Sequence, residues 1–338
     1  MREIGSEFWN VPTTEQKNKL FPESTQWFLS GRNALTAIIR DIKSKKKVHT
    51  VAMPSWCCDS MIIPFLREGI DVRFYQVYWK DSLIQEIQFD SDVLFLMDYF
   101  GYTMPTADLA ECSGIVIRDV THSLLSHQYT DAQYYFGSLR KWCGVKTGGY
   151  AWGERLDEGE ADEKYATLRS SAMQEKAKYI NGEIEDKEYL KTYEKAETYL
   201  DGLNGVYCPL KSDVNAARHL AAGYVWTQRR KNARVLMSAL KPHLIFPTFL
   251  KEDCPMFVPI LVPNGKRNEL RRYLIKHEIY CPIHWPVSEH HRLNEKELYI
   301  YQNELSLVCD QRYTEDDMNR IIETIEKFWK EGNCCSRF

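Results

Sequence analysis

Residues 134–153 read YYFGSLRKWCGVKTGGYAWG, and this stretch is the most informative part of the chain. It contains two short apolar runs, Tyr134 to Phe136 and Tyr150 to Trp152, which predict β-strands. A lysine follows the first run, and a Gly-Gly pair precedes the second. The stretch therefore predicts a strand, a turn that carries a lysine, and a second strand.

Lys141 is the candidate catalytic residue of this turn. Its neighbours Phe136, Leu139 and Trp142 are apolar. A lysine enclosed by such residues has its pKa lowered by desolvation, which a Schiff-base amine requires. Lys146 is a nearby competitor for the same role, and an ordinary surface lysine is the alternative for either residue.

Short apolar runs also precede this stretch, and segments long enough for helices, such as Ser60 to Arg67, separate them. The runs that predict strands are Val48 to Met53, Val72 to Val77, Val93 to Met97 and Ile115 to Ile117. Apolar residues with helical spacing begin just after Ser30-Gly31. This alternation of strand and helix predicts an α/β fold with a largely parallel sheet covered on both faces.

Beyond the stretch, the composition changes. From Leu156 to about Leu200 the chain is rich in Glu, Lys, Ala and Tyr, which predicts helices that pack on one side and expose a charged face. Strands and helices then alternate again, at Met256 to Val262, Lys266 to His277, Leu305 to Cys309 and Thr314 to Lys330. We expect an N-terminal segment (1–25), a large domain (26–235) and a small C-terminal α/β domain (236–338).

The balance of charge argues against nucleic acid as a partner. The 338 residues include 44 Lys and Arg against 47 Asp and Glu, so no basic excess is available for a phosphate backbone. Glu3, Glu7 and Glu15 stand where a signal peptide has its apolar core, and no stretch reaches the roughly 18 apolar residues of a membrane span. The sequence predicts a cytoplasmic protein without a membrane partner.

The ten cysteines lie singly or in the adjacent pairs Cys57-Cys58 and Cys334-Cys335, without any C-x-x-C spacing. Metal sites of zinc type need such spacing, and disulfides are rare in a reducing cytosol. We therefore expect free thiols and no metal site.

The segment Ser30 to Leu35 places a glycine turn and small polar residues at the start of the first amphipathic helix. Free backbone N–H groups and the positive end of the helix dipole favour a phosphate there. Gly31, Arg32 and Asn33 are therefore candidate cofactor-binding residues, and Ser138 is a further candidate donor to the phosphate. An ordinary helix cap is the alternative.

Asp119 follows a predicted strand, so it is expected at the edge where open α/β sheets bind ligands. A carboxylate there can pair with the N–H of a pyridinium ring and keep the ring nitrogen protonated. His122, three residues on, can hydrogen-bond to such a cofactor or cover its ring. A helix cap or a loop anchor is the alternative for Asp119.

The order of these features resembles the DegT/DnrJ/EryC1/StrS family of pyridoxal 5'-phosphate (PLP) aminotransferases, which have fold type I. Ser30 to Leu35 is similar to the family's Ser-Gly-Thr-x-Ala-Leu phosphate turn, and Asp119 to His122 is similar to its Asp-Ala-Ala-(Gln/His). The Schiff-base lysine of the family falls on Lys141. Other similar segments are Pro54-Ser55, Leu168-Arg169, Ser212 to Ala217, Leu305 to Leu307 and Thr314 to Asp317. The resemblance covers about residues 26–330.

The resemblance implies a large PLP-binding domain with a mostly parallel sheet of seven-stranded type, a small C-terminal α/β domain, and a homodimer with its sites at the interface. It implies PLP as the cofactor, with Lys141, Asp119 and His122 as catalytic residues. It also implies a reaction that transfers an amino group from a small-molecule donor, such as glutamate, to a keto acceptor. In much of the family that acceptor is a nucleotide-linked keto sugar.

Two residues of the C-terminal third are candidates for substrate binding. His284 lies in His284-Trp285-Pro286, which resembles the family's His-Tyr-Pro turn. Arg312 follows the last predicted strand and can hold a carboxylate as a bidentate partner. A structural role is the alternative for Arg312.

The sequence departs from the family pattern at three places. Phe136 stands where the family has a serine five residues before its lysine, so Ser138 is expected to take over that contact. Cys58 stands where the family has the aromatic residue that stacks on the cofactor, which leaves Trp56 or His122 to cover the ring. Cys208 lies near the position of an asparagine that reaches the partner subunit's phosphate.

Two other functions share the same cofactor residues. One is a PLP-dependent lyase or aldolase on the same fold, which would differ in its substrate pocket. The other is a non-catalytic sensor that binds PLP. The family's sugar dehydratases have histidine in place of the lysine, so Lys141 argues against that branch.

Overall fold

The structure is a computed structural model that describes residues 3–88, 90–105, 108–126, 130–157 and 159–331. Its strands are β1 (Ile4–Gly5), β2 (Gln26–Phe28), β3 (Thr50–Pro54), β4 (Asp71–Lys80), β5 (Ser82–Glu86), β6 (Val93–Met97), β7 (Ile115–Asp119), β8 (Tyr134–Ser138), β9 (Gly149–Gly153), β10 (Phe257–Leu261), β11 (Ile279–Tyr280) and β12 (Glu304–Val308). Its α-helices are α1 (Gly31–Lys45), α2 (Asp59–Arg67), α3 (Glu163–Ile180), α4 (Tyr189–Gly202), α5 (Lys211–Arg218), α6 (Ala222–Ala239), α7 (Arg267–Lys276), α8 (Glu295–Asn303) and α9 (Glu315–Glu331). Short 3-10 turns lie at Leu139–Lys141 and Lys241–His243.

The central sheet contains eight strands in the order β2-β9-β8-β7-β6-β3-β4-β5. The five strands from β8 to β4 are parallel to their neighbours, and the antiparallel pairs lie towards the edges. Every residue of β6 and β8 is buried, as expected for central strands covered on both faces. The predicted α/β class and mostly parallel sheet are confirmed. The sheet exceeds the expected seven strands because β5 folds back on β4 as a hairpin.

The first helix packs on the sheet through the face that the sequence predicts. Leu35, Ile38, Ile39 and Ile42 are at most 1% exposed. The strand β9 passes so close to the start of α1 that a Cβ on Gly149 would lie 2.0 Å from the carbonyl oxygen of Ser30. Only glycine allows this approach, and it holds the helix N-terminus against the edge of the sheet.

The helices α3 and α4 have the expected exposed charged residues, such as Glu163, Lys178 and Glu194, but two basic residues of α3 are exceptions. Arg169 and Lys176 on α3 are buried, because the N-terminal segment lies against them. Lys176 Nζ is 3.1 Å from a carboxylate oxygen of Glu3, and Arg169 Nη1 is 3.3 Å from one of Glu7. The carboxylates come from a segment more than 150 residues away, which a local charge pattern cannot reveal.

The C-terminal third contains a second, two-stranded antiparallel sheet, β10 with β12. A further small sheet joins the N-terminal segment to the C-terminal third, because β1 pairs in parallel with β11. The expected boundary after residue 235 falls within α6, and the division into domains stays a prediction.

All eight cysteines in the described ranges are free thiols. Cys334 and Cys335 lie outside those ranges. Among the described helices, none combines the length and the apolar character that crossing a membrane requires.

A buried ion pair lies beneath the end of β7. Arg118 Nη1 is 2.6 Å from Asp98 Oδ1, and both side chains are less than a tenth exposed. The same guanidinium also contacts Asp131. Burial raises the pKa of Asp98, and the charge of Arg118 opposes that rise. The charge of Arg118 thus stabilises a carboxylate that lies next to the strand end carrying Asp119.

We expect Arg118→Leu to lower the free energy of unfolding by about 3–5 kcal/mol, because it leaves the Asp98 carboxylate buried without its cation. Urea denaturation followed by circular dichroism measures this. The control is Arg40→Leu, which removes a pair with Glu68 from an arginine that is 47% exposed, and should cost at most about 1 kcal/mol. Equal losses for the two variants would contradict the role given to Arg118.

Candidate active site

Lys141 ends the 3-10 turn that follows β8. The turn is anchored by Leu139 and Trp142, which are fully buried, and the Trp142 indole N–H donates to the carbonyl oxygen of Thr121 at 2.7 Å. Lys141 itself is exposed and lines a cavity of about 320 Å³. The expectation that its apolar neighbours enclose the amine is therefore wrong for this chain. They fill the core beneath the turn and leave the lysine at the cavity.

The competitor Lys146 has a different environment. Its Nζ lies 3.7 Å from Asp213 Oδ1. The other oxygen of Asp213 accepts hydrogen bonds from the backbone N–H and the hydroxyl of Thr147, both at 2.8 Å. Lys146 is thus paired with a carboxylate that organises a loop, and it is not among the residues that line the cavity.

Asp119 is the last residue of β7 and is buried. The strand register places it opposite Met97 on β6 and Phe136 on β8. The Thr121 backbone N–H donates to its Oδ1 at 2.8 Å. Burial raises the pKa of Asp119 to about 6, and hydrogen bonds from Thr121 and the charge of Lys141 oppose this rise. A cationic ring N–H placed against the carboxylate would favour its ionised form, so Asp119 fits the predicted pairing with a pyridinium.

His122 is buried near Asp119, and the backbone N–H of Phe100 donates to its Nδ1 at 3.3 Å. Burial, the nearby His284 ring and the charge of Lys141 hold the pKa of His122 well below its ordinary value, so the ring is neutral at pH 7. The Trp285 indole stacks on the imidazole at 5.8 Å between ring centroids and an angle of 24°.

Trp56, the other candidate for covering the ring, is a core residue. It is 0% exposed and stacks on Tyr99 at 5.0 Å. Its indole N–H donates to the carbonyl oxygen of His284 at 2.6 Å, which connects the loop after β3 to the loop after β11. Neither Trp56 nor His122 is among the residues that line the cavity of Lys141, so the residue that covers the ring stays a prediction.

The predicted phosphate turn is the N-terminus of α1. Some hydrogen-bond donors of this turn already have partners within the protein. The backbone N–H of Asn33 donates to Ser30 Oγ at 3.2 Å, so this group serves the helix cap. The Arg32 side chain contacts Asp201 at 2.6 Å. The capping serine already uses the Asn33 N–H in this arrangement, and the role of Asn33 towards phosphate stays a prediction.

Ser138 supplies the strongest evidence for a phosphate site. Its hydroxyl is buried and has no hydrogen-bond partner in the described part of the chain. Its Cβ lies 3.2 Å from where a Cβ on Gly31 would stand, so the hydroxyl is next to the start of α1. Buried hydroxyls are normally bonded, and an unpaired one beside a helix N-terminus fits an anion. Gly31 and Ser138 thus come together as predicted.

Arg312 lines the same cavity as Lys141, but it is already neutralised. Its guanidinium donates to the Asp310 carboxylate at 2.9 and 2.8 Å and to the carbonyl oxygens of Ser6 and Glu7 at 3.1 Å each. Four of its five N–H donors are used in this way. These bonds favour the structural alternative for Arg312.

Sequence reasoning missed Arg271, which also lines the cavity. Its Nε donates to the carbonyl oxygen of Cys281 at 3.2 Å, and it forms no ion pair with a carboxylate of the described ranges. It stands on α7 beside Arg272, in an ordinary helical pattern, so no local signal distinguished it. His284, which was predicted, lines the cavity as well.

No protein-family model matches the sequence, and no curated protein matches it. Solved structures do match. PseC of Helicobacter pylori, an aminotransferase involved in the biosynthesis of pseudoaminic acid, is 14% identical, with a TM-score of 0.63 over 96% of this chain and 100% of PseC. The PLP form of the putative sugar aminotransferase Spr1654 from Streptococcus pneumoniae is 13% identical, with a TM-score of 0.61 over 95% and 93% of the two chains.

A DegT DnrJ EryC1 StrS aminotransferase from Brucella abortus is 16% identical, with a TM-score of 0.58 over 90% of this chain and 85% of that one. The chain therefore has the fold of PLP-dependent aminotransferases of fold type I. Within that class, these structural neighbours are an aminotransferase of pseudoaminic acid biosynthesis, a putative sugar aminotransferase and a DegT DnrJ EryC1 StrS aminotransferase. The fold expected from the sequence resemblance is confirmed.

We expect PLP to attach to Lys141, because this lysine faces the cavity while Lys146 is paired with Asp213. Reduction of the PLP-treated protein with borohydride, followed by peptide mapping, locates the pyridoxyl group. Lys141→Ala should lose the label, and Lys146→Ala should keep it. A label on Lys146 in the wild type would contradict the assignment.

We expect Ser138→Ala to weaken PLP binding about ten- to a hundredfold, since a hydrogen bond to a charged group contributes roughly 1.5–3 kcal/mol. Titration of the protein with PLP measures the dissociation constant. Ser44→Ala is the control, because that hydroxyl lies near the other end of α1 and bonds to the Asp41 carbonyl oxygen at 2.7 Å. An unchanged constant for Ser138→Ala would exclude Ser138 from the phosphate site.

Proposed function

We propose that this protein is a PLP-dependent aminotransferase and a divergent member of the DegT/DnrJ/EryC1/StrS family. The observation that carries the proposal is the juxtaposition of three groups on an aminotransferase fold. Lys141 faces a cavity, Asp119 is a buried carboxyl at the adjacent strand end, and the Ser138 hydroxyl is buried without a partner in the described chain beside the start of α1.

Each of these residues has a distinct task. When bound, PLP supplies an electron sink for the bonding electrons at the substrate Cα. The Ser138 hydroxyl and the N-terminus of α1 hold the phosphate. Asp119 accepts a hydrogen bond from the ring N–H and keeps it protonated. Lys141 provides the amine that attaches the cofactor, and as a free amine it removes the proton from Cα.

Arg271 is the group we propose for the carboxylate of the amino donor. Arg140, Arg229 and Arg312 also line the cavity. Glu197 neutralises Arg140 and Asp310 neutralises Arg312, whereas Arg229 is 1% exposed and already donates to Gln311 Oε1 and to the carbonyl oxygen of Met256. Arg271 is a cavity cation without such a carboxylate among the described residues, and a guanidinium matches a carboxylate in geometry and charge. An acidic amino acid such as glutamate is therefore the donor to test first, with a nucleotide-linked keto sugar as the acceptor class.

We also propose a homodimer with its sites at the interface. The exposure of Lys141 in the single chain supports this, because a lysine that forms a Schiff base needs a cavity from which bulk water is largely excluded. A second subunit could supply the missing wall. The free thiols of the described ranges fit a reducing compartment, so the cytoplasm is the proposed location.

A half-reaction tests the proposed activity. We expect the protein with bound PLP, on addition of excess glutamate without an acceptor, to convert its cofactor stoichiometrically to pyridoxamine phosphate, with one 2-oxoglutarate released per site. The absorbance spectrum and product analysis follow this, and Lys141→Ala should show neither change. Continuous turnover without pyridoxamine phosphate would indicate a lyase or an aldolase. Bound PLP that responds to no amino donor would indicate a sensor.

The same assay tests the donor site. Arg271→Met should raise the glutamate concentration for half-maximal conversion about ten- to a hundredfold, through loss of a charged hydrogen bond, and leave PLP affinity unchanged. Arg272→Met is the matched control, because Arg272 is the exposed neighbour on the same helix. If both variants behave alike, Arg271 does not bind the donor.

A further inference from the structure

Three side chains form a buried hydrogen-bonded row beside the cavity. Glu304 and Ser306 stand two residues apart on β12, so they share one face of the strand. Glu304 Oε1 and Ser306 Oγ are 2.5 Å apart, and Ser306 Oγ is 2.9 Å from Nδ1 of His284. The second carboxyl oxygen of Glu304 accepts the backbone N–H of His284 at 2.7 Å.

The two ends of the row differ in environment. Glu304 and Ser306 are 0% exposed, so the carboxyl has no access to water. His284 is 7% exposed and lines the cavity together with Lys141. Because Ser306 occupies Nδ1, the nitrogen left for the cavity is Nε2.

The proton on Glu304 determines what Nε2 can do. When Glu304 is protonated, it donates to Ser306, and Ser306 donates to Nδ1. A neutral imidazole that accepts at Nδ1 carries its proton on Nε2. When Glu304 is ionised, Ser306 donates to the carboxylate and accepts from Nδ1–H, so Nε2 has no proton and becomes an acceptor.

We propose that His284 is a substrate-binding residue, and that the buried carboxyl of Glu304, acting through the hydroxyl of Ser306 as a positioning residue, sets its Nε2 as a donor or an acceptor towards the cavity. In the donor state Nε2–H binds an acceptor oxygen of the substrate, such as a carbonyl or carboxylate oxygen. The identity of this ligand rests on the proposed aminotransferase function, whereas the coupling of the three side chains does not.

The electrostatics of the row fit this arrangement. Burial raises the pKa of Glu304 to about 8, against the hydrogen bonds from Ser306 and from the His284 backbone and against the charge of Arg267. Burial, and then the charge of Lys141, lowers the pKa of His284 to about 3. The imidazole is therefore neutral throughout the range in which Glu304 titrates, and at pH 7 the donor state prevails.

Other charged or titratable groups also face the row. Arg267 on α7 donates to the backbone oxygen of Glu304 at 3.0 Å, and burial raises the pKa of Cys281 to about 12, so that thiol stays protonated. The pKa of His122 lies well below its ordinary value, and its ring is 5.9 Å from that of His284. The other charged residues that line the cavity with His284 are Glu7, Arg140, Lys141, Arg229, Arg271, Asp310 and Arg312. Glu304 is thus the group of the row whose charge changes just above neutral pH.

The tautomer of His284 can be observed directly by ¹⁵N NMR of the histidine side chains in the protein without PLP. We expect the proton of the neutral ring to lie on Nε2 at about pH 6 and on Nδ1 at about pH 10, because ionisation of Glu304 reverses the direction of the hydrogen bonds from Glu304 through Ser306 to His284. Glu304→Gln should hold the Nε2–H form at both values, since the amide donates to Ser306 as the neutral acid does. His219, whose Nδ1 is 2.8 Å from the Asn215 carbonyl oxygen, serves as the control and should respond identically in both proteins.

Ser306→Ala provides a second test that keeps the carboxyl. It should abolish the dependence of the His284 tautomer on Glu304. A wild-type tautomer that is the same at both pH values would overturn the proposal, and so would a tautomer change that persists in Glu304→Gln.

Stability provides a readout that needs no substrate. The folded-state pKa of Glu304 is raised, so its contribution to stability is complete below the ordinary carboxyl pKa and is lost as the pH rises to about 8. The unfolding temperature of Glu304→Gln should therefore exceed that of the wild type at alkaline pH, and the two unfolding temperatures should become similar at acidic pH. Parallel pH profiles for the two proteins would show that Glu304 does not titrate as proposed.

Activity measurements test the proposed contact between His284 and the substrate separately from the coupling of the three side chains. In the holoenzyme, kcat/KM should fall about three- to tenfold above pH 8 in the wild type, through loss of one neutral hydrogen bond, and should not show this fall in Glu304→Gln. If the tautomer of His284 changes with pH but the two proteins have the same pH dependence of kcat/KM, the proposed contact with the substrate is wrong. Absence of any amino transfer would contradict the proposed function, but it would not affect the coupling of the three side chains, which the NMR experiment tests without substrate.

Discussion

The strands β7 and β8 run side by side in parallel, and the positions of Asp119, Ser138 and Lys141 depend on this pairing. Its register sets Asp119 opposite Phe136, two residues before Ser138 and five before Lys141. The Trp142 indole then bonds to the carbonyl oxygen of Thr121 and ties the lysine turn to the loop after β7. A slip of one residue would turn the Asp119 side chain to the opposite face of the sheet.

Charge is distributed around the site in two ways. Where the carboxylates are buried against arginine, as in Asp98 with Arg118 and Asp310 with Arg312, the charges compensate each other and hold the backbone. Where a carboxyl is buried without a cation at hydrogen-bonding distance, as in Asp119 and Glu304, desolvation raises its pKa. The pKa of Asp98 is raised as well, but its charge is compensated by Arg118. The second arrangement suits groups that accept a ligand's cation or exchange a proton, which are the roles proposed for Asp119 and Glu304.

Elements with strong local patterns were predictable. The apolar spacing of α1 gives its buried face, and the run Val93 to Met97 coincides with β6, because a fully buried central strand needs apolar residues at every position. Prediction failed where a distant segment changes the environment. The sequence suggested that the charged residues of α3 face solvent, but Lys176 and Arg169 are buried against Glu3 and Glu7. Arg271 carried no local signal, because its place at the cavity results from the packing of α7 on α9, β11 and β12.

The sequence alone determined the α/β class, the approximate strands and helices, and the candidates Lys141, Asp119 and Ser138, since these depend on short-range periodicity and on the order of motifs along the chain. Only the tertiary structure decided which candidates have unsatisfied bonding capacity. Arg312 is neutralised by Asp310, the Asn33 N–H is used by Ser30, and the Ser138 hydroxyl has no partner within the described residues. The physical reason is that hydrogen bonding and desolvation depend on all groups within a few ångströms, whatever their separation in sequence.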